Sequence, residues 1–119
     1  MTSRRVALSG IIAAGFGLVA LAASAQAPPT WANVGPIFDQ NCTRCHGASH
    51  PTGLDLRSYE STLEGSNRGA VVIAGNPEQS LLMQRITGQV GAQMPRNAPP
   101  LSAEQIALVA AWIAGGLQP

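Results

Sequence analysis

Cys42-Thr43-Arg44-Cys45-His46 sets two thiols three positions apart and an imidazole directly after the second. Thiols at that spacing can add across the two vinyl groups of one haem, and the adjoining histidine is then placed to bind the iron, which is the attachment pattern of c-type haem. Cys42 and Cys45 are the only cysteines of the chain, so no disulfide framework competes for them. A redox dithiol of the thioredoxin kind needs a βαβ context, and no β-branched strand precedes Cys42. A structural zinc site takes four protein ligands as a rule, and only His46 and His50 are at hand to join the two thiols. A haem-free dithiol or metal protein is therefore the less supported reading.

Iron bound by His46 alone keeps one face open, and a second strong ligand favours electron transfer over ligand chemistry. The candidates are Met94, Met83 and His50. Met94 is preferred: it stands in a proline-stiffened loop, and Pro95 biases it toward extended backbone, so that its side chain can project as a preset arm. Met83 lies inside Leu81-Leu82-Met83, where a methionine more often fills core. His50 follows His46 by only four residues and reads as a turn histidine. A thioether ligand raises the potential relative to a bis-histidine iron.

Attachment of c-type haem takes place outside the cytoplasmic membrane, so these residues require export. Arg4 and Arg5 begin a basic region, an apolar stretch covers 6–23, and Ala23-Ser24-Ala25 and Ala25-Gln26-Ala27 are both A-x-A patterns. Residues 1–25 are accordingly expected to be a cleaved signal peptide, with the second pattern ending at Ala27, and 28–119 the mature domain. The competing reading is an uncleaved anchor, since about 18 apolar residues just reach across a bilayer. Export implies a periplasmic protein with no membrane attachment after cleavage.

About 92 to 94 mature residues make one domain with a limited core. The mature aromatics are Trp31, Phe38, Tyr59 and Trp112. A covalently held haem would staple such a chain and give its helices an apolar surface to pack on. Five arginines (44, 57, 68, 85, 96) stand against six acidic residues with no lysine, for a mature net charge of −1. This excludes a basic stripe for nucleic acid and a lysine ring for steering toward an acidic partner.

The elements that position these residues are helical. Asn33 is the expected cap of a first helix over 34–45, with Pro36 in its first turn and Val34, Ile37, Phe38 and Cys42 on one face. The pentad then ends that helix, and Gly47 stops it. His50-Pro51-Thr52-Gly53 is turn chemistry. Ser58 caps a short helix over 59–64, and 70–74 is an extended apolar run. Asn76-Pro77-Glu78 starts a helix over 77–87, a proline-stiffened loop follows over 89–100, and Ser102-Ala103-Glu104-Gln105 is a capping box opening a last helix to 114. The fold class is all-α: about four short helices around one covalently bound haem.

With these motifs in place the sequence resembles class I cytochrome c over about 34–117. The resemblance rests on Phe38 four residues before Cys42, on Cys42, Cys45, His46 and Gly47, on Met94-Pro95 and on Trp112 in the last helix. Pro36-Ile37-Phe38, the run 53–58, Gly75-Asn76-Pro77-Glu78, Ser80-Leu81-Leu82, and Trp112-Ile113 with Gly115-Gly116 are similar, more narrowly, to the planctomycete-type cytochrome c domain. The resemblance implies a monohaem cytochrome c fold, with Cys42 and Cys45 holding haem c and His46 and Met94 as axial iron ligands. Two positions depart from the family pattern. Val34, with Gly35 beside it, stands where a small residue usually lets the terminal helices approach. Pro51 comes very soon after His46 for the proline whose carbonyl accepts the proximal histidine N–H, so that acceptor is left unassigned.

The functional expectation is a monomeric periplasmic electron carrier, not an enzyme, that docks transiently on redox protein partners. Leu54, Leu56, Leu81, Leu82, Ile86 and Leu101 are the expected haem wall. Arg57 or Arg96 is expected to meet a propionate, against the alternative of a solvated surface arginine. The competing functions are a haem sensor or peroxidase with a labile sixth ligand, and a cytochrome subunit of a dehydrogenase complex.

Overall fold

The computed structural model describes residues 27–119, together with Gly10, Gly15 and Gly17. The export segment expected over 1–25 lies outside the described residues, apart from those three glycines. No helix among the described residues is long and apolar enough to cross a membrane.

The first helix, α1, spans Trp31–Asn41 and starts three residues ahead of the position expected for it. Its cap is Thr30, whose amide donates to Asn33 Oδ1 at 2.9 Å, so Asn33 acts from within the first turn and not as the cap itself. Pro36 consequently lies inside the helix and not in its first turn, where its missing N–H leaves the Ala32 carbonyl without the usual donor. The helix stops at Asn41, before the pentad, because side chains take over its last carbonyls. Asn41 Nδ2 donates to Ile37 O at 2.8 Å and Thr43 Oγ1 to Asp39 O at 3.1 Å. Residues 42–46 form a separate turn in which His46 N donates to Cys42 O at 2.8 Å.

The second helix, α2, spans Tyr59–Glu64 behind the Ser58 cap, as expected. The third, α3, is shorter than expected: Leu81–Ile86, without 77–80. A helix opening at Pro77 would give the Leu82 amide to Glu78. Instead Leu82 N donates to Val71 O at 3.0 Å, which ties the extended 70–75 segment to α3. Glu78 O accepts from Gln84 Nε2 at 3.1 Å. The buried Ser80 hydroxyl is occupied as well, donating to Asn76 O at 2.8 Å and accepting from Ile73 N at 2.9 Å. The 77–80 backbone thus serves a tertiary junction in place of a helical turn. The last helix, α4, spans Ala103–Ala114, with the Ser102 and Gln105 capping box formed in both directions.

The described residues hold four helices and two isolated β-bridges, with no strand. α1 packs on α4 and α3 on α4. All four aromatics of residues 27–119 meet at the first contact. Trp31 lies 5.6 Å from Phe38, 6.0 Å from Tyr59 and 5.8 Å from Trp112, and Phe38 meets Trp112 edge-on at 6.3 Å. The chain end folds over this cluster. Gln118 O accepts from Trp31 N (3.0 Å) and from Trp112 Nε1 (2.9 Å), and Leu117 O accepts from the Tyr59 hydroxyl (2.7 Å). Val34 is wholly buried in this core, while Gly35 makes room for a neighbour on its own helix: a Cβ there would stand 3.0 Å from the Trp31 indole nitrogen. The small residue beside Val34 therefore serves Trp31.

Candidate haem site

On its other side the core opens into a cavity of about 570 Å³. The volume suits a cofactor-sized ligand. Cys42 and His46 from the turn after α1, His50 and Leu54 from the following loop, Leu81, Leu82 and Ile86 from α3, and Met94 from the loop after α3 all line it. Five of the six aliphatic residues expected as wall are there. Leu101 is instead buried in the general core, and Phe38 and Val71, not anticipated as wall, complete the apolar lining.

The pentad is presented by the turn that closes α1. Cys42 is half-buried and Cys45 exposed, and both thiols are free. Burial, with the neighbouring Cys45 second, pushes the Cys42 thiol up to about 11. A redox dithiol depends on a thiol shifted the opposite way, so this environment speaks against the thioredoxin-like reading. No cluster of three or more metal-ligating side chains occurs among the described residues, which weighs against the zinc reading too.

His46 Nδ1 is the one buried side-chain nitrogen or oxygen among the described residues that lacks a hydrogen-bond partner. Burial first, and the His50 ring second, hold the imidazole below its ordinary value of 6.5, while the Leu54 backbone pulls weakly the other way. The ring is therefore neutral near pH 7, the form in which a histidine nitrogen ligates iron. Leu56 N donates to His46 O at 2.9 Å and keeps the Leu54–Leu56 strip beside the histidine. Neither this strip nor Pro51, whose carbonyl accepts from Asn67 Nδ2 at 3.1 Å, bonds His46 Nδ1.

The three candidates for the sixth ligand separate by position. Met94 is half-buried and lines the cavity with His46. Met83 is buried in the core and does not reach the cavity. His50 does line it, but its ring centroid is 4.1 Å from that of His46, on the same wall, and its Nδ1 is hydrogen-bonded to Thr52 Oγ1 at 2.7 Å. Side by side, the two imidazoles cannot take opposite faces of one metal.

The charged lining is one-signed. Arg68, Arg85 and Arg96 reach the cavity and no aspartate or glutamate does. Arg96 was anticipated; Arg57 is excluded, because it is half-exposed and engaged with Asp55 at 2.9 Å. Arg68 and Arg85 carry no local signal in the sequence. Arg68 is brought in by the 66–69 turn, held where Asn67 N donates to Thr52 O at 2.8 Å. A largely apolar cavity with cationic groups at intervals fits a flat hydrophobic ring system that carries carboxylates. The neutral imidazole, the Cys42 thiol and the Met94 thioether fit the same group, while Cys45 is exposed beside the cavity lining.

No curated protein matches this chain. Among solved structures, a chain of the Kuenenia stuttgartiensis hydrazine synthase has a similar fold, with a TM-score of 0.54 at 21% identity over 73% of this chain. That match spans 16% of the other chain's length, so the likeness is to a small part of a larger polypeptide. Residues 42–97, from the first thiol of the pentad to just past the Met94 arm, match the family model of planctomycete cytochrome C.

Proposed function

We propose that this chain is an exported monohaem c-type cytochrome that passes single electrons between redox proteins. The observation that carries the reading is the meeting of Cys42, His46 and Met94, from separate parts of the chain, at one apolar, acid-free cavity. Haem held there supplies one-electron Fe(III)/Fe(II) chemistry. Cys42 and Cys45 would hold the group through thioethers, each formed by addition of S–H across a vinyl group, which requires no oxidant. Neutral His46 would ligate the iron through an imidazole nitrogen, and Met94 would supply a thioether, which favours the ferrous state. Phe38, Leu54, Leu81, Leu82 and Ile86 would exclude water, and Arg68 and Arg96 would neutralise the carboxylates. Two strong protein ligands would leave little to rearrange when an electron moves. The export segment supports a periplasmic location, and the scarcity of surface charge supports brief docking of a monomer on its partners.

The test is an absorption spectrum of the exported protein in both oxidation states, beside Met94→Ala. The parent is expected to show the weak far-red sulfur-to-iron band, and Met94→Ala to lose it and to bind carbon monoxide when reduced. A colourless parent overturns the haem reading. A parent that binds carbon monoxide freely at neutral pH turns the function toward a sensor or peroxidase.

A further inference from the structure

Arg85 stands in the last turn of α3 and joins two things at once. Its carbonyl accepts the Met94 amide at 2.9 Å and the Gly88 amide at 3.3 Å, and its side chain lines the cavity. The guanidinium also lies flush against Gly91: a Cβ on that glycine would overlap Arg85 Nη1, with Cζ 3.0 Å away. Gly91 has φ +62, so the loop turns over the guanidinium at a residue with no side chain to obstruct it. The loop from Gly88 to Gln93 is exposed along its length and contains no charged residue. Its other ties are polar: Gln89 N and Val90 N donate to Gln84 O at 2.9 and 3.3 Å, and Gln93 Nε2 donates to Ile86 O at 3.2 Å. A segment with so little buried apolar surface opens readily. Arg85 thus touches this loop at Gly91 and lines the cavity at once. The one salt bridge among the described residues is Arg57 to Asp55, so no carboxylate draws Arg85 elsewhere.

We propose that Arg85 is a positioning residue for Met94: its side chain is the strut beneath the 88–93 loop that holds the sulfur arm against the cavity. The inference rests on the reading of Met94 as the sixth ligand. Arg85→Ala removes the strut and leaves the backbone bond from Met94 in place. Arg85→Lys keeps a side chain long enough to reach toward Gly91 and adds no sulfur to the cavity.

The experiment uses the exported, haem-loaded chain, with haem content checked by pyridine haemochrome. In Arg85→Ala the far-red band is expected to weaken and carbon monoxide to bind the reduced protein about tenfold faster, as loss of one supporting contact raises the open population. Arg85→Lys is expected to recover most of both properties, and Arg57→Gln, remote from the loop contact, to match the parent. Should Arg85→Ala misfold, Arg85→Gln, whose side chain is too short to reach Gly91, tests the same contact, with faster hydrogen exchange at the Met94 amide as its expected readout and parental exchange overturning the strut. An Arg85→Ala protein with the parent's band and carbon monoxide kinetics, or an Arg85→Lys protein as impaired as Arg85→Ala, overturns the strut. A parent without the band overturns the Met94 reading itself and this inference with it.

Discussion

Where α1 crosses α4, every large side chain has a protein neighbour: Val34, Val109, Trp112 and Ile113 are fully buried, and the returning chain end supplies acceptors for the Trp112 and Tyr59 polar atoms. Around the cavity, side chains of the same apolar kind face open volume, and an imidazole nitrogen is buried with nothing to bond. The backbone there is held by single polar ties, such as Leu56 N to His46 O and Met94 N to Arg85 O. One region completes its own core. The other lines a cavity whose apolar walls, neutral imidazole and thioether fit a haem. Phe38 belongs to both, since it packs on Trp112 and lines the cavity.

The widest break in that comparison comes from preventing haem attachment. With both Cys42 and Cys45 replaced by alanine, covalent haem is lost outright, read as disappearance of haem staining on a denaturing gel. Hydrogen exchange of the haem-free protein is expected to accelerate first in α3 and in the 50–56 and 88–94 loops, with α1 and α4 protected longest. Equal acceleration everywhere would show that the aromatic cluster is not self-sufficient.

A smaller effect separates the regions from the opposite direction. Trp112→Ala empties a fully buried site and is expected to cost about 3–5 kcal/mol, read as a lower midpoint in denaturant unfolding of the haem-loaded protein. Because Trp112 does not line the cavity, the spectrum of the protein that remains folded should keep its far-red band. Loss of the band well before unfolding would mean that the two regions are a single mechanical unit through Phe38.

The helices that were legible in the sequence are those whose signals act locally. Ser58 and the Ser102–Gln105 box announce α2 and α4 because a hydroxyl needs only its own next turn to cap a helix. The start of α3 was not legible, since Asn76-Pro77-Glu78 is a sound start signal overruled by a bond from Leu82 to Val71, eleven residues back. The start of α1 was missed because Asn33 is a good cap by type, while its oxygen here serves the Thr30 amide from inside the helix. At the site, the covalent and axial candidates could be proposed from residue type and spacing alone. Arg68 and Arg85 could not, as nothing local tells a cavity arginine from a solvated one. Arg68 is placed by the tie between Asn67 and Thr52, fifteen residues apart, and Arg85 by where α3 meets the cavity, neither of which shows in the neighbouring residues.

The smallest expected effect concerns the arginine that the cavity does not use. Arg57 donates to Asp55 through Nε at 3.0 Å and Nη2 at 2.9 Å, and these bonds hold the Asp55 carboxyl below its ordinary 3.8. A carboxylate depressed on folding contributes stability above its unfolded value and loses it as pH falls through the lower folded value. The pair is exposed and screened by water and salt, so that contribution is small. Asp55→Asn should leave the unfolding midpoint at pH 7 within error of the parent and slightly flatten the loss of stability below about pH 4. Asp55 nevertheless sits between Leu54 and Leu56, the strip that flanks His46. If Asp55→Asn moves the reduction potential at neutral pH while the midpoint stays fixed, the pair is tuning the histidine through that strip, and Arg57 belongs to the cavity side of the comparison after all.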